Sequence, residues 1–343
     1  MEFMNIRLLR LFTLIVLVSS TAAFAIEITG TGSMIPGPLI KIWAEDYSMR
    51  TASSVIKYQG GSPADGIKRL LNKEVDFSCI DMPLSMAELK KNGLMQYPIS
   101  LGVIVPMVNL PNVYTGQFRL DGKTFGDILL GNIKKWNDPA LIALNPSIRL
   151  PDADIIIIRR ASPPGMSTMI GDYLAKTHPQ WKSIKGDTMA GDWPATSITT
   201  QSPLENIAMI KKTPYSIGYG PASLAIKQGM AYVQMKNKAG NFVSPSDDNI
   251  SAAALNTSWE AGDGFNVILT DQPGANTWPI SMTSFVLISK STEHTERGRE
   301  VLKYFKYSLH YGGLKAFENN YIPLPDAISS GVRSSLDNMA NGK

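Results

Sequence analysis

Three turns in this 343-residue chain carry the residue types that hold anions. In "RRASPPGMST", residues 159–168, two arginines end an isoleucine run and a helical pattern begins just after them. Fixed positive charge therefore stands beside the N–H groups of a helix N-terminus. "TGTGSMIPGP" (29–38) and "YQGGSPADG" (58–66) each follow a strand-like run with glycines and hydroxyl residues whose backbone N–H groups can face an oxyanion. A fourth stretch, "DFSCIDMPLS" (76–85), closes an apolar run with Asp81. One glycine turn alone is more often an ordinary connection; three of them with an arginine pair point to anion handling. Yet the turn after Arg160 holds Pro163, Pro164 and Met166 where small donors are wanted.

Catalytic signatures are scarce. His178, His294 and His310 have no metal-binding spacing, and neither a nucleophile elbow nor a P-loop is present. Ser54-Val-Ile-Lys57 has the serine–lysine spacing of some acylating enzymes without their companion motifs, and reads as coincidence. Asn249-Ile-Ser and Asn256-Thr-Ser match the glycosylation pattern, which matters only in a eukaryotic secretory route. The glycine turns and the arginine pair therefore point to anion handling more than to catalysis, and no cofactor is expected.

The elements that would hold these turns alternate. "SSVIKYQ", "VDFSCID" and "ISLGVIVPMVNL" read as strands, and "DGIKRLLNK" and "SMAELKKNG" as helices, so the pattern predicts an α/β fold with a largely parallel sheet. Ser85 and Glu88 form a capping box with Gly93 as the stop, and Met166, Met169, Ile170, Tyr173 and Leu174 make an amphipathic stripe. "TSFVLIS" reads as a buried strand, followed by a helix bearing Val301, Leu302, Phe305 and Leu309. The length suits two lobes, or one large one. "VNLPNVYTG" and "TDQPGANTWP" flank the middle of the chain as crossings between two lobes, predicted near Val105–Asn109 and Ile280–Phe285.

At the start, Arg7 and Arg10, an apolar run from Leu11 to Val18 and Ala23-Phe24-Ala25 match an export signal. Residues 1–25 are therefore expected to be removed, with a mature chain from about Ile26. The apolar run is too short for a bilayer span, so no stable membrane insertion is expected after cleavage. Cys79 is the only cysteine, which leaves neither an intrachain disulfide nor a lipid-attachment site after the signal. Cleavage removes one carboxylate and two guanidinium groups, lowering the formal charge from +4 to +3. With no dense basic cluster, nucleic acid is not an expected partner.

Together, "ITGTGSMIPGPLIKIWAEDY", "YQGGSPADGIKRLL", "VDFSCIDMPLS", "LDGKTFGDILLGNIKKWNDPALIALNP", "IIIIRRASPPGMST", "WPISMTSFVLISK" and "YIPLPDAI" resemble the periplasmic phosphate-binding (PstS) family that feeds ABC importers. The resemblance implies a hinged, two-lobed periplasmic binding protein fold (type II-like), with mixed sheets flanked by helices around a cleft. Lobe I would be 26–106 plus 281–343 and lobe II 107–280, with phosphate or a related anion as ligand and an ABC permease as partner. It places the family's acceptor aspartate on Asp81, its clamping arginine on Arg160, and its backbone donors on Ile35 and Gly165. Its side-chain hydroxyls fall on Met34, on Pro63 beside Ser62, on Pro164 and on Met166, so four donors are missing. Ser33, Ser62, Ser162 and Ser167 are the neighbours able to replace them. Without a ligand, Asp81 is expected to pair with Arg160, and Met166 to pack in the core. A relative that keeps the scaffold but no longer binds phosphate, serving adhesion or surface assembly, is the alternative.

Overall fold

Burial along each strand tracks its place in the sheet. Ser54–Gly61 (β2) alternates buried and exposed side chains and lies at an edge, whereas Phe77–Ile80 (β3) and Ser281–Ser289 (β12) are buried almost throughout and lie inside. The computed structural model describes residues 25–51, 54–161, 166–292 and 294–340. In chain order the remaining strands are β1 (Ile26–Ser33), β4 (Leu94–Asn109), β5 (Arg119–Leu120), β6 (Ile156–Arg160), β7 (Ser197–Thr200), β8 (Ser216–Pro221), β9 (Ala231–Tyr232), β10 (Gln234–Lys236) and β11 (Phe242–Val243). The large sheet runs β2-β1-β3-β12-β4-β8-β6-β7, with β9 also on β4; β11-β10-β5 form a small second sheet.

The outer pairs β1–β2, β1–β3, β6–β7 and β6–β8 are parallel. Around β4 and β12 every pair is antiparallel, so the sheet is mixed and not largely parallel. The reason lies in the path of the chain: β4 leads out of the first half, β12 leads back, and two such neighbours must run in opposite directions. Along β4 the partner changes from β12, up to Val103, to β8, from Ile104.

Helices flank the sheet: α1 (Gly37–Thr51) packs on β2, α2 (Pro63–Leu71) on β1 and β3, and the helix Glu296–Tyr311 on β1. α3 (Met86–Asn92) begins on the capping box of Ser85 and Glu88 and ends on left-handed Gly93. The stripe after Arg160 forms the helix Met166–Thr177, with Met166, Met169, Ile170, Tyr173 and Leu174 buried. Phe77 anchors an aromatic cluster with Phe305 (5.1 Å) and Tyr58 (5.9 Å) near β1, and Phe118 and Trp136 (5.6 Å) form another beyond β4.

One close approach fixes the first anion turn. A Cβ at Gly66 of α2 would lie 2.8 Å from Gly32 Cα and 2.4 Å from Ser78 Oγ, and Gly32 itself sits at φ +118° against the Cys79 carbonyl. Glycine at both positions lets α2 come down onto the end of β1. Gly66→Ala is therefore expected to destabilise the fold by about 1–3 kcal/mol through overpacking, read as a lower urea midpoint. An unchanged midpoint would mean that α2 is free to shift.

Candidate functional site

The end of β1, the end of β3 and β12 converge on Asp81. This carboxylate is 3% exposed. Ser33 Oγ donates to its Oδ2 at 2.6 Å and Ser284 Oγ to its Oδ1 at 3.4 Å. Ile35 N–H donates to Ser33 Oγ at 3.0 Å, and Tyr58 OH to the Ser33 carbonyl at 2.6 Å, so the turn after β1 is tied to the carboxylate by a short chain of bonds. Burial pushes the Asp81 carboxyl up to about 6, opposed by the two serine bonds and by attraction to Arg160.

Beside Ser284 the pairing of β12 with β4 is irregular. Between Ser284 and Phe285 the register against β4 slips from Ser100 to Pro98, leaving Ile99 as the extra residue. Such bulges re-aim side chains, and they are among the few sheet positions that accept proline. The clue in the sequence is the polar cluster Ser281, Thr283 and Ser284, fully buried in an otherwise apolar strand.

Arg160 comes from the end of β6 and contributes charge at longer range. Among the described residues it forms no ion pair with a carboxylate; its Nη2 donates to the Gln201 carbonyl at 3.3 Å, and its buried Nε has no partner. The expected Asp81–Arg160 pair is thus absent: serine hydroxyls meet the carboxylate, and the guanidinium turns to the Gln201 carbonyl. Arg159 points elsewhere, with its guanidinium 4.8 Å from the Trp193 ring centroid.

The other expected site residues fall at varied distances from solvent. Met34 is 55% exposed, whereas Met166 is 1% exposed and belongs to the core. Ser62 stands exposed before α2 and its side chain makes no capping bond, which leaves its hydroxyl available. Ser167 is buried with its Oγ 3.5 Å from the Tyr219 hydroxyl. Gly165, with Ser162, Pro163 and Pro164, lies outside the described residues, as do residues 1–24 with most of the expected export signal. Among the described residues no group of three His, Cys, Asp or Glu could hold a metal ion, and no helix is long and apolar enough to cross a membrane.

A family model described as a PBP superfamily domain matches residues 18–317. The phosphate-binding protein PstS of Pasteurella multocida is 36% identical over 310 residues, covering 90% of this chain and 89% of its own length. The chain belongs to the phosphate-binding protein PstS family. Another PstS, from Haemophilus influenzae, is likewise 36% identical, covering 91% of this chain and 93% of itself. Solved structures share the fold at lower identity. A phosphate-binding protein from Stenotrophomonas maltophilia superposes with a TM-score of 0.64 at 17% identity over 90% of this chain and 94% of its own. An ABC-type phosphate transport receptor from Vibrio cholerae gives 0.58 at 16% identity over 87% and 100%. The mixed sheet with flanking helices is the PstS fold, and these relatives are named as binding and transport proteins, not enzymes.

Proposed function

We propose that this chain is a periplasmic solute-binding protein that captures phosphate or a related oxyanion by closing two lobes on it and passes it to an ABC permease. Membership of the PstS family supports the class. The observation that carries the ligand type is Asp81: a buried carboxyl, raised to about 6, held by two hydroxyls with the Arg160 guanidinium in electrostatic reach. Such a group can accept the proton of a partly protonated phosphorus oxyanion while Arg160 offsets the charge. The lobes are 26–106 with 281–343 and 107–280, a division that the change of β4 partners after Val103 and the return through β12 support.

A screen of phosphate, arsenate and sulfate by thermal shift at low salt tests the reading. Stabilisation by at least one tetrahedral anion, weakened in Arg160→Ala, is expected. The second reading, a scaffold that has given up phosphate, is favoured by the bonds already made inside the turn: Ile35 N–H and Ser33 Oγ–H are both engaged without a ligand. Absence of any Arg160-dependent stabilisation would decide for it.

For localisation, the mature protein is expected to start within a residue or two of Ile26. N-terminal sequencing of exported material checks this, and a retained membrane-bound N-terminus contradicts it.

A further inference from the structure

A cavity of about 200 Å³ adjoins the hydrogen-bond network of Asp81, although Asp81 itself is not on its wall. Ser284, whose hydroxyl donates to Asp81, and Ile35, whose N–H donates to Ser33, both stand on its wall. Most of the rest is apolar, including Val103, Met282, Ile226 and Phe317. Ile226 is 49% exposed and Phe317 58%, so two large apolar side chains face water at this cavity. Its described wall has no lysine or arginine but does carry Asp247, so the cavity repels a free anion while accepting a neutral group.

Resting on the reading of Asp81 and Arg160 as an anion site, we propose that the ligand is a monosubstituted phosphorus oxyanion, a phosphonate or phosphate monoester, whose small apolar substituent fills this cavity. The chemistry of the available donors agrees. Orthophosphate presents four oxygens that need partners in place of water, and next to Asp81 the Ser33 hydroxyl and the Ile35 N–H are already engaged within the turn. A phosphonate presents three oxygens and one carbon, and so asks for fewer donors. Its remaining proton still serves Asp81, and its negative charge still meets Arg160. Each methylene buried adds about fourfold in affinity, so a propyl or phenyl group needs only partial burial to gain tenfold.

Calorimetry on ligand-stripped protein with orthophosphate, propylphosphonate and phenylphosphonate tests this. We expect at least one phosphonate to bind tenfold or more tighter than orthophosphate. Ile226→Trp, filling the cavity from a half-exposed position, should remove that advantage and leave orthophosphate binding unchanged. Ser223→Phe, from the same wall, replaces it should that variant misfold. Equal or tighter binding of orthophosphate, or an advantage that survives in folded wall variants, overturns the inference while the anion site stands. Failure of all three ligands, or binding indifferent to Arg160→Ala, overturns the anion site itself and the inference with it.

Discussion

Orthophosphate is expected to bind phosphate-stripped protein far more weakly than a complete set of donors would allow, with affinity no better than micromolar at low salt. A hydrogen bond to a charged group contributes ~1.5–3 kcal/mol, so four unreplaced hydroxyls amount to roughly 6–12 kcal/mol. Every ~1.4 kcal/mol is a factor of ten, so even two unreplaced donors weaken binding by ~10²–10⁴. Ser33 offers little relief, since its proton is committed to Asp81, and buried Ser167 faces Tyr219; among the described candidates only Ser62 has a hydroxyl in the open. Arg160→Ala should abolish what remains. Conversely, Met34→Thr, Pro63→Ser and Pro164→Ser together should raise affinity by at least tenfold. Adding Met166→Thr restores the last hydroxyl but removes a fully buried side chain, so the quadruple variant needs its folding checked first. Submicromolar phosphate binding by the unmodified protein would refute the account. No gain in the folded triple and quadruple variants would mean that the residue correspondence is wrong.

Asp81→Asn is expected to stabilise the protein at alkaline pH while destroying anion binding. The sign follows from the raised carboxyl. In the folded chain Asp81 titrates at about 6, above its ordinary 3.8, so the folded state holds this proton more tightly. The stability linked to this proton is fully present below about pH 4 and is lost as pH rises through 6, so at higher pH the charged carboxylate costs that amount relative to a neutral group. A difference of about two pH units corresponds to about 3 kcal/mol, and the group is fully buried, so little is lost to solvent screening. Asparagine keeps the acceptor for Ser33 and presents an amide to Ser284 without the charge. We expect the melting temperature of Asp81→Asn to exceed that of the unmodified protein by about 5 °C at pH 8. The gap should shrink steadily towards pH 4.5. A variant equally destabilised at both pH values would show that the charged bonds to Ser33 and Ser284, not the cost of burial, dominate at this site.

Local signals in the sequence were reliable where the physics is local. The capping box at Ser85, the glycine stop at Gly93 and the apolar stripe from Met166 each depend on residues within two turns of one another, and each appears in the structure as read. Asp81 was visible too, since a carboxylate ending an apolar strand is conspicuous. What escaped depends on pairing across the chain. Ser284 lies 203 positions from Asp81 and reaches it only because β12 is placed beside β3. Nor could the sequence say that serines would reach Asp81 ahead of Arg160, because that is decided by distances between β1, β3, β6 and β12. The antiparallel centre escaped for the same reason: alternating strands and helices suggest parallel neighbours until the one strand that returns from the far half is placed between them.

That returning strand also sets the order in which the protein can be built. β12 fits between β3 and β4, pairing with both, although it leaves the ribosome some 170 residues after β4. Until it arrives, β3 and β4 each present an open edge of buried, apolar residues to any other extended chain, the situation that favours mispairing. Residues between β4 and β12 can complete their own contacts meanwhile, but the first third of the chain must wait for the last fifth of synthesis. A nascent or truncated chain ending before Ser281 is thus the aggregation-prone species. Holding the whole polypeptide unfolded until it has crossed a membrane would spare it that interval.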